Sequence, residues 1–261
     1  MNGLRLWTRF IRIHIRSSLE YPASFWMAAL SQFTASFLHI VGVFLMFSFF
    51  GSLRGWSFWE TALVAGIVQT AYPLAESLAR GFDSFSALVR SGGFDTVLLR
   101  PRSILLQVFC SRFELSRAGR FLEGVCVLGA AVSRLPAVRT PAHLAVLVLM
   151  VLGGAAAFAG VFILGAALSF FTVQGLEVVN VFTDGGREIT QYPMDIYKRA
   201  YLVFFTAVIP YACTFYWPLL TVTGRSADPL CALAPLAGFV FAVPCAWIFL
   251  RASRRYRSTG S

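Results

Sequence analysis

The stretch His143–Phe171, HLAVLVLMVLGGAAAFAGVFILGAALSFF, decides the fold of this chain. It is apolar over its whole length and contains no aspartate, glutamate, lysine or arginine. An α-helix needs about 20 consecutive apolar residues to cross the hydrocarbon core of a bilayer. The stretch therefore predicts a transmembrane helix.

The rest of the chain has the same character. Three further apolar stretches are long enough to span a membrane, at Phe25–Phe50, Phe58–Ala79 and Leu230–Leu250, and two less certain ones lie between them. Charged residues make up 13% of the chain, about half of what a soluble domain carries. The mean hydropathy is +0.71. We therefore predict an all-α, polytopic membrane protein with a single transmembrane domain over residues 1–261.

Arginines at both ends of the chain predict its orientation. Four of them recur at helical spacing within residues 1–20: Arg5, Arg9, Arg12 and Arg16. This stripe is typical of an interfacial helix whose arginines meet anionic lipid headgroups, and a plain positive anchor is the alternative. Four more follow the last apolar stretch: Arg251, Arg254, Arg255 and Arg257. By the positive-inside rule both termini are cytoplasmic, so the number of crossings is even and six is the natural count.

Residues 172–223 allow two interpretations. Hydropathy alone makes residues 173–199 a cytoplasmic loop and residues 201–222 the fifth span. The count of basic residues on each side of the membrane favours this first interpretation. In the second interpretation, the fifth span is residues 174–191.

The second interpretation requires a helix with one polar face. Polar residues recur on that face: Glu177, Asn180, Asp184, Arg187 and Gln191. Such a helix crosses a membrane only when this face lines a bundle or a wet cavity, with Asp184 and Arg187 partly neutralising each other. Residues 192–225 would then form an outer re-entrant helical element before the last span, broken at Pro210 and Pro218.

The sequence contains no motif for catalysis. A nucleotide-binding P-loop needs a lysine followed by serine or threonine, whereas the only lysine, Lys198, is followed by Arg199. The histidines His14, His39 and His143 are far apart and favour neither a metal site nor a catalytic triad. We therefore expect no enzyme, no metal and no cofactor on this chain. Its net charge of +10 is explained by arginines that flank apolar stretches, so we expect no nucleic-acid partner.

The connector after the second apolar stretch, residues 92–102 with the sequence GGFDTVLLRPR, has an ordered composition. Paired glycines and an acid precede three aliphatic residues, and two arginines flank a proline. A connector that only lay in water would not need Val97, Leu98 and Leu99. We interpret it as a docking segment for a soluble partner, within a cytoplasmic region over residues 80–118.

With these features the chain resembles the membrane-spanning subunits of type-2 ATP-binding-cassette (ABC) transporters, compact bacterial permeases that work with a separate ATPase. Three places carry the resemblance: residues 92–103, residues 191–225 and the ending RRYRSTGS at 254–261. In the family, the first includes the coupling helix that contacts the ATPase, and the second is the outer re-entrant segment. The resemblance therefore favours residues 174–191 as the fifth span, with the re-entrant region at 192–225.

The resemblance implies an ATP-driven exporter in the bacterial inner membrane, multi-pass, with cytoplasmic N- and C-termini. Its partners would be a dimer of ABC ATPase subunits that holds the ATP and magnesium, a second permease that is identical or similar, and membrane lipid. Residues expected to couple to the ATPase are Asp95, Thr96, Val97, Leu98, Leu99, Arg100, Pro101 and Arg102. Spans two and five line the translocation path in the family, which nominates Gln69, Tyr72, Glu76, Asn180, Asp184 and Arg187.

Several alternatives stay open at this point. A channel or an ion- or proton-coupled transporter without an ATPase would use the same polar face, and an assembly protein would pair its charged helix with another subunit. The small residues Gly153, Ala157 and Gly160 serve helix packing within one subunit or between two. A disulfide between Cys213 and Cys231 is also open, as is the substrate.

Overall fold

The computed structural model describes residues 3–172 and 175–256, with side chains over residues 10–172 and 179–256. Within these ranges the chain is helical and has no β-strand, as predicted. Thirteen α-helices follow one another in the described part: α1 Gly3–Leu19, α2 Pro22–Phe50, α3 Phe58–Asp83, α4 Phe85–Arg90, α5 Gly93–Leu98, α6 Ile104–Ser111, α7 Ala118–Arg134, α8 Pro141–Leu168, α9 Gly175–Thr190, α10 Arg199–Ala207, α11 Trp217–Val222, α12 Pro229–Leu233 and α13 Leu236–Ser253. A π-helical turn at Ala212–Tyr216 precedes α11.

Three of the described helices, α2, α8 and α13, are long and apolar enough to cross a membrane. A fourth candidate is the pair formed by α10 and residues Ala212–Val222, which is bent by 98° and is either a broken span or a re-entrant loop. These helices agree with a polytopic membrane protein.

Helix α3 lies at the centre of the bundle and is buried between α7 and α8. A capping box starts it: the Glu60 N–H donates to the Ser57 hydroxyl at 3.3 Å, and the Ser57 N–H donates to the Glu60 carboxylate at 2.8 Å. Glycine permits the contact with α7, because a Cβ on Gly124 would lie 2.5 Å from the carbonyl carbon of Gln69.

The small residues of α8 pack within the subunit. A Cβ on Gly153 would lie 2.2 Å from the Pro235 carbonyl oxygen at the start of α13, and Gly160 faces Phe241 of the same helix. Ala157 is fully buried. The interpretation of this face as an intrasubunit packing surface is therefore the one that the structure supports.

A cluster around Trp56, the Trp56 cluster, joins the loop before α3 to the segments after α9 and α11. The Trp56 indole N–H contacts both carboxylate oxygens of Asp195 at 3.0 Å, and the Arg54 guanidinium donates to the Asp195 backbone oxygen at 2.7 Å. The Arg225 guanidinium stacks 3.8 Å from the Trp56 ring centroid and pairs with Glu60 at 3.0 Å. These three segments therefore meet at one end of the bundle.

The predicted N-terminal helix over residues 1–20 corresponds to α1, which contacts α6 and α2. Arg12 and Arg16 are exposed, whereas the side chains of Arg5 and Arg9 lie outside the described residues. The end of the basic tail, residues 257–261, also lies outside them. All five cysteines are free thiols, including Cys213 and Cys231.

Candidate functional site

A polar cavity of about 360 Å³ lies between α3, α9 and the start of α7, at the end of α3 that leads to α4. Its lining consists almost entirely of charged and polar side chains: Tyr72, Glu76, Arg80, Asp83, Arg117, Arg120, Asn180, Thr183 and Asp184. We call this space the polar cavity.

Helical periodicity brings the lining residues to one face of each helix. Tyr72, Glu76, Arg80 and Asp83 follow one another at intervals of four, four and three residues along α3. At this spacing the side chains of an α-helix lie one above the other. Asn180, Thr183 and Asp184 share one face of α9 in the same way. The cavity is therefore a product of two polar stripes that face each other.

Glu76 joins three helices on one side of the cavity. Its carboxylate pairs with the Arg117 guanidinium at 3.4 Å and with the Arg120 guanidinium at 3.2 Å. Arg120 also donates to the Gln32 side-chain oxygen on α2 at 2.6 Å. A buried carboxylate is tolerated when it is paired and hydrogen-bonded, and Glu76 is buried. These contacts fasten α3 to α7 and α2.

Arg80 forms a second set of ion pairs near the cavity mouth. Its guanidinium pairs with Glu114 at 2.7 Å, contacts Asp83 at close range and lies 3.9 Å from Glu76. The three carboxylates surround one guanidinium, so Arg80 is fully engaged.

The Tyr72 hydroxyl donates to the Asp184 carboxylate at 2.9 Å, which bridges α3 and α9. The Arg187 guanidinium lies 5.2 Å from the centroid of the Tyr72 ring and pairs with the neighbouring Glu188. Asp184 and Arg187 therefore do not form the ion pair that was expected, because Tyr72 binds Asp184 and the adjacent Glu188 binds Arg187.

Five of the six residues nominated for the path meet at this place. Tyr72, Glu76, Asn180 and Asp184 line the polar cavity, and Arg187 covers the Tyr72 ring. Gln69 does not line it, although its spacing puts it on the same face of α3. Gln69 is buried where α7 approaches, against Gly124.

The polar face of α9 is only partly described. Asn180 and Asp184 are exposed on the cavity side, and Gln191 is buried at the end of the helix. The side chain of Glu177 lies outside the described residues.

The lining also contains residues that the sequence did not assign to the path: Arg80, Asp83, Arg117 and Arg120. Arg80 and Asp83 continue the spacing of Tyr72 and Glu76, which was a usable signal. Arg117 and Arg120 reach the cavity only through the fold that brings the start of α7 beside α3.

The connector, residues 92–102, is anchored through one aromatic side chain. Phe94 is fully buried in a cluster of rings drawn from the ends of several helices: Phe82, Phe85, Phe94, Phe170, Phe249 and Tyr256. Within this aromatic cluster the Phe94 ring lies edge-on to Phe85 at 5.2 Å, to Phe170 at 5.3 Å and to Tyr256 at 5.0 Å. Such edge-to-face arrangements are the favoured geometry of aromatic pairs.

Further contacts hold α5 in place. The Gln107 amide donates to the backbone oxygens of Val97 at 3.1 Å and Arg102 at 3.0 Å. Gly92 has φ of 67°, a left-handed conformation that lets the chain turn into α5. At the C-terminal side, burial raises the pKa of the Tyr256 hydroxyl, and the nearby Asp95 carboxylate raises it further.

The two faces of the connector differ in exposure. Leu98 is 44% exposed and Leu99 is 84% exposed, and Thr96, Arg100, Pro101 and Arg102 are also on the surface. Val97 packs against the core instead, so it belongs to the anchoring side with Phe94. The connector therefore presents an apolar tip that the described residues leave uncovered.

Comparison with protein-family models matches residues 33–260 to the ABC-2 family transporter protein model. Neither the curated proteins nor the solved structures contain a match to the chain.

Proposed function

The chain belongs to the ABC-2 family of transporters, and on that premise we propose that it is the permease subunit of an ATP-driven exporter. In this proposal it forms the translocation path together with a second permease subunit, identical or similar. A dimer of separate ATPase subunits holds the ATP and magnesium and performs hydrolysis.

The proposed topology has six spans with cytoplasmic termini. The spans are built on α2, α3, α7, α8, α9 and α13, and α10 with α11 forms the outer re-entrant element. The contact between Trp56 and Asp195 supports it, because both interpretations of the sequence put Trp56 outside. Asp195 follows α9 directly, so its position beside Trp56 favours α9 as the fifth span.

One observation carries the proposal: the connector exposes two leucines from a helix that is itself firmly anchored. Leu99, the residue that follows α5, is 84% exposed, whereas Phe94 within α5 is 0% exposed. Burying an exposed leucine side chain against a partner stabilises a complex by about 1.5–3 kcal/mol. Leu98 and Leu99, flanked by Arg100 and Arg102, thus offer an apolar contact with a basic rim to a soluble subunit.

The contacts that anchor α5 also indicate how a force from the ATPase would reach the spanning helices. Closure of the ATPase dimer on ATP pushes α5. Phe94 passes that push directly to Phe170 after α8 and, through Phe85, to Phe249 on α13. The connector is also joined to α3 along the chain, because only α4 lies between them. Since packed helices move as rigid bodies, α3 and α13 tilt and the polar cavity between α3 and α9 changes shape.

The test is the double substitution of Leu98 and Leu99 by aspartate. We expect it to abolish co-purification of ATP-hydrolysing activity with the affinity-tagged permease from its host membranes, while the permease still inserts. The matched control replaces both leucines by methionine, which keeps the apolar contact and retains the activity.

Retained ATPase association and transport in the aspartate variant would contradict the docking role of the connector. If the wild-type permease purifies without any nucleotide-hydrolysing subunit but moves substrate down an ion gradient, the channel or ion-coupled alternative is correct.

A further inference from the structure

We propose that the polar cavity is a binding site for an organic cation and that Asp184 is the anionic group that receives it. This inference rests on the proposed permease function, because it names the substrate class of the path.

All but one of the charged side chains that line the cavity form ion pairs. Each of the guanidinium groups of Arg80, Arg117 and Arg120 lies within 4.0 Å of a carboxylate. Glu76, Asp83 and Glu114 are each within the same distance of an arginine. Of the acids at this site, Asp184 alone has no ion pair within the described residues, since Arg187 is taken by Glu188.

Asp184 is placed to be neutralised by a ligand. Its side chain is exposed on the cavity side of α9, and one carboxylate oxygen accepts the hydrogen bond from Tyr72. A hydroxyl is a neutral donor, so it orients the carboxylate without compensating the charge. A ligand cation that enters the cavity meets an oriented anion.

The aromatic wall beside Asp184 already holds a cation. The Arg187 guanidinium lies 5.2 Å from the Tyr72 ring centroid, and the same ring also contacts Phe158 in a T-shaped pair at 4.9 Å and the tilted ring of Phe162 at 6.1 Å. The Tyr72 ring is therefore already covered by a cation, so a ligand cation meets the Asp184 carboxylate and not the ring.

Size and ligand count favour an organic cation over a metal ion. The cavity of about 360 Å³ lies within the range of small-molecule sites. A bound calcium ion takes six to eight oxygen ligands, whereas this site offers a single uncompensated carboxylate. Asn180 and Thr183 complete the wall of α9 with neutral polar groups.

The experiment measures binding of radiolabelled tetraethylammonium to the purified permease–ATPase complex in phosphatidylcholine nanodiscs. The probe carries a permanent charge, so its protonation does not change, and the lipid carries no net charge that would attract it. Benzenesulfonate serves as the anion of comparable size. We expect saturable binding of tetraethylammonium and none of benzenesulfonate.

Two variants test whether Asp184 is the group that binds the cation. Asp184→Asn keeps the size of the side chain and removes the charge, and we expect its affinity for tetraethylammonium to fall by at least about tenfold, the loss of one charge-assisted contact. Asp228→Asn is the matched control, because it makes the same chemical change in a carboxylate that caps the start of α12 and does not line the cavity. We expect no change in its affinity.

Unchanged affinity in Asp184→Asn overturns the inference. Absence of saturable binding in the wild type overturns it too, and if Asp184→Asn then separates the two permease subunits, the cation is a residue of the second subunit. An intact ATPase complex that binds no cation leaves the proposed function standing. If the permease binds the cation but carries no ATPase, the proposed function is refuted and the inference of a cation site stands.

Discussion

The aromatic cluster and the polar cavity adjoin the same end of α3 and are built in opposite ways. Phe82 points into the cluster, and the next residue, Asp83, lines the cavity. Six rings, Phe94 among them, pack against one another in the first region, whereas paired charges and open space make up the second.

This difference separates two mechanical roles. Close-packed apolar side chains transmit a displacement, because they have no empty space to absorb it. The open space between α3 and α9 can absorb a displacement instead, so the distance between these two helices can change. The structure thus combines a stiff joint under the connector with a deformable cavity between α3 and α9.

Replacing Phe94 by alanine is the most direct way to break the stiff joint. The ring is fully buried, so we expect the substitution to destabilise the permease by about 3–5 kcal/mol. The measurement is thermal unfolding of the permease in detergent. Leu99→Ala, at the exposed residue that follows α5, should change the free energy of unfolding by less than about 0.5 kcal/mol. Equal effects of the two variants would show that Phe94 is no anchor.

Glu76→Gln tests the cavity side of the comparison. It leaves Arg117 and Arg120 without their shared carboxylate, and breaking a buried ion pair costs about 3 kcal/mol. Thermal unfolding measures the loss, and Glu114→Gln, whose carboxylate is more exposed, is the control. A variant as stable as the wild type would mean that α2, α3 and α7 are held by their apolar contacts alone.

Much of this arrangement could be predicted from the sequence. The all-helical membrane fold follows from apolar length, and the resemblance of the chain to type-2 ABC permeases is confirmed by its membership of the ABC-2 family. The meeting of Tyr72 and Glu76 with Asn180 and Asp184 was expected from helical periodicity together with the resemblance, which implies that spans two and five line the path.

The remainder depends on contacts between distant parts of the chain. Spacing puts Gln69 on the same face as Tyr72, but α7 covers Gln69 because Gly124 has no side chain to keep the helices apart. Spacing also favours Arg187 as the partner of Asp184, and Tyr72 on another helix displaces it. No local pattern indicates that Tyr256 packs on Phe94, since more than 160 positions lie between them.

Substitution of Tyr256 is expected to have the smallest effect of the three, and it tests how the aromatic cluster transmits force. Its ring contacts Phe94 at 5.0 Å and Phe170 at 5.9 Å, and an aromatic pair is worth about 0.5–1.5 kcal/mol beyond its buried area. We expect Tyr256→Ala to lower the substrate moved per ATP hydrolysed while the ATPase remains bound, because the last span then follows the connector less closely. Tyr256→Phe keeps both ring contacts and should restore the ratio. If alanine leaves the ratio unchanged, the force enters through α3 alone and the ring of Tyr256 only stabilises the chain terminus.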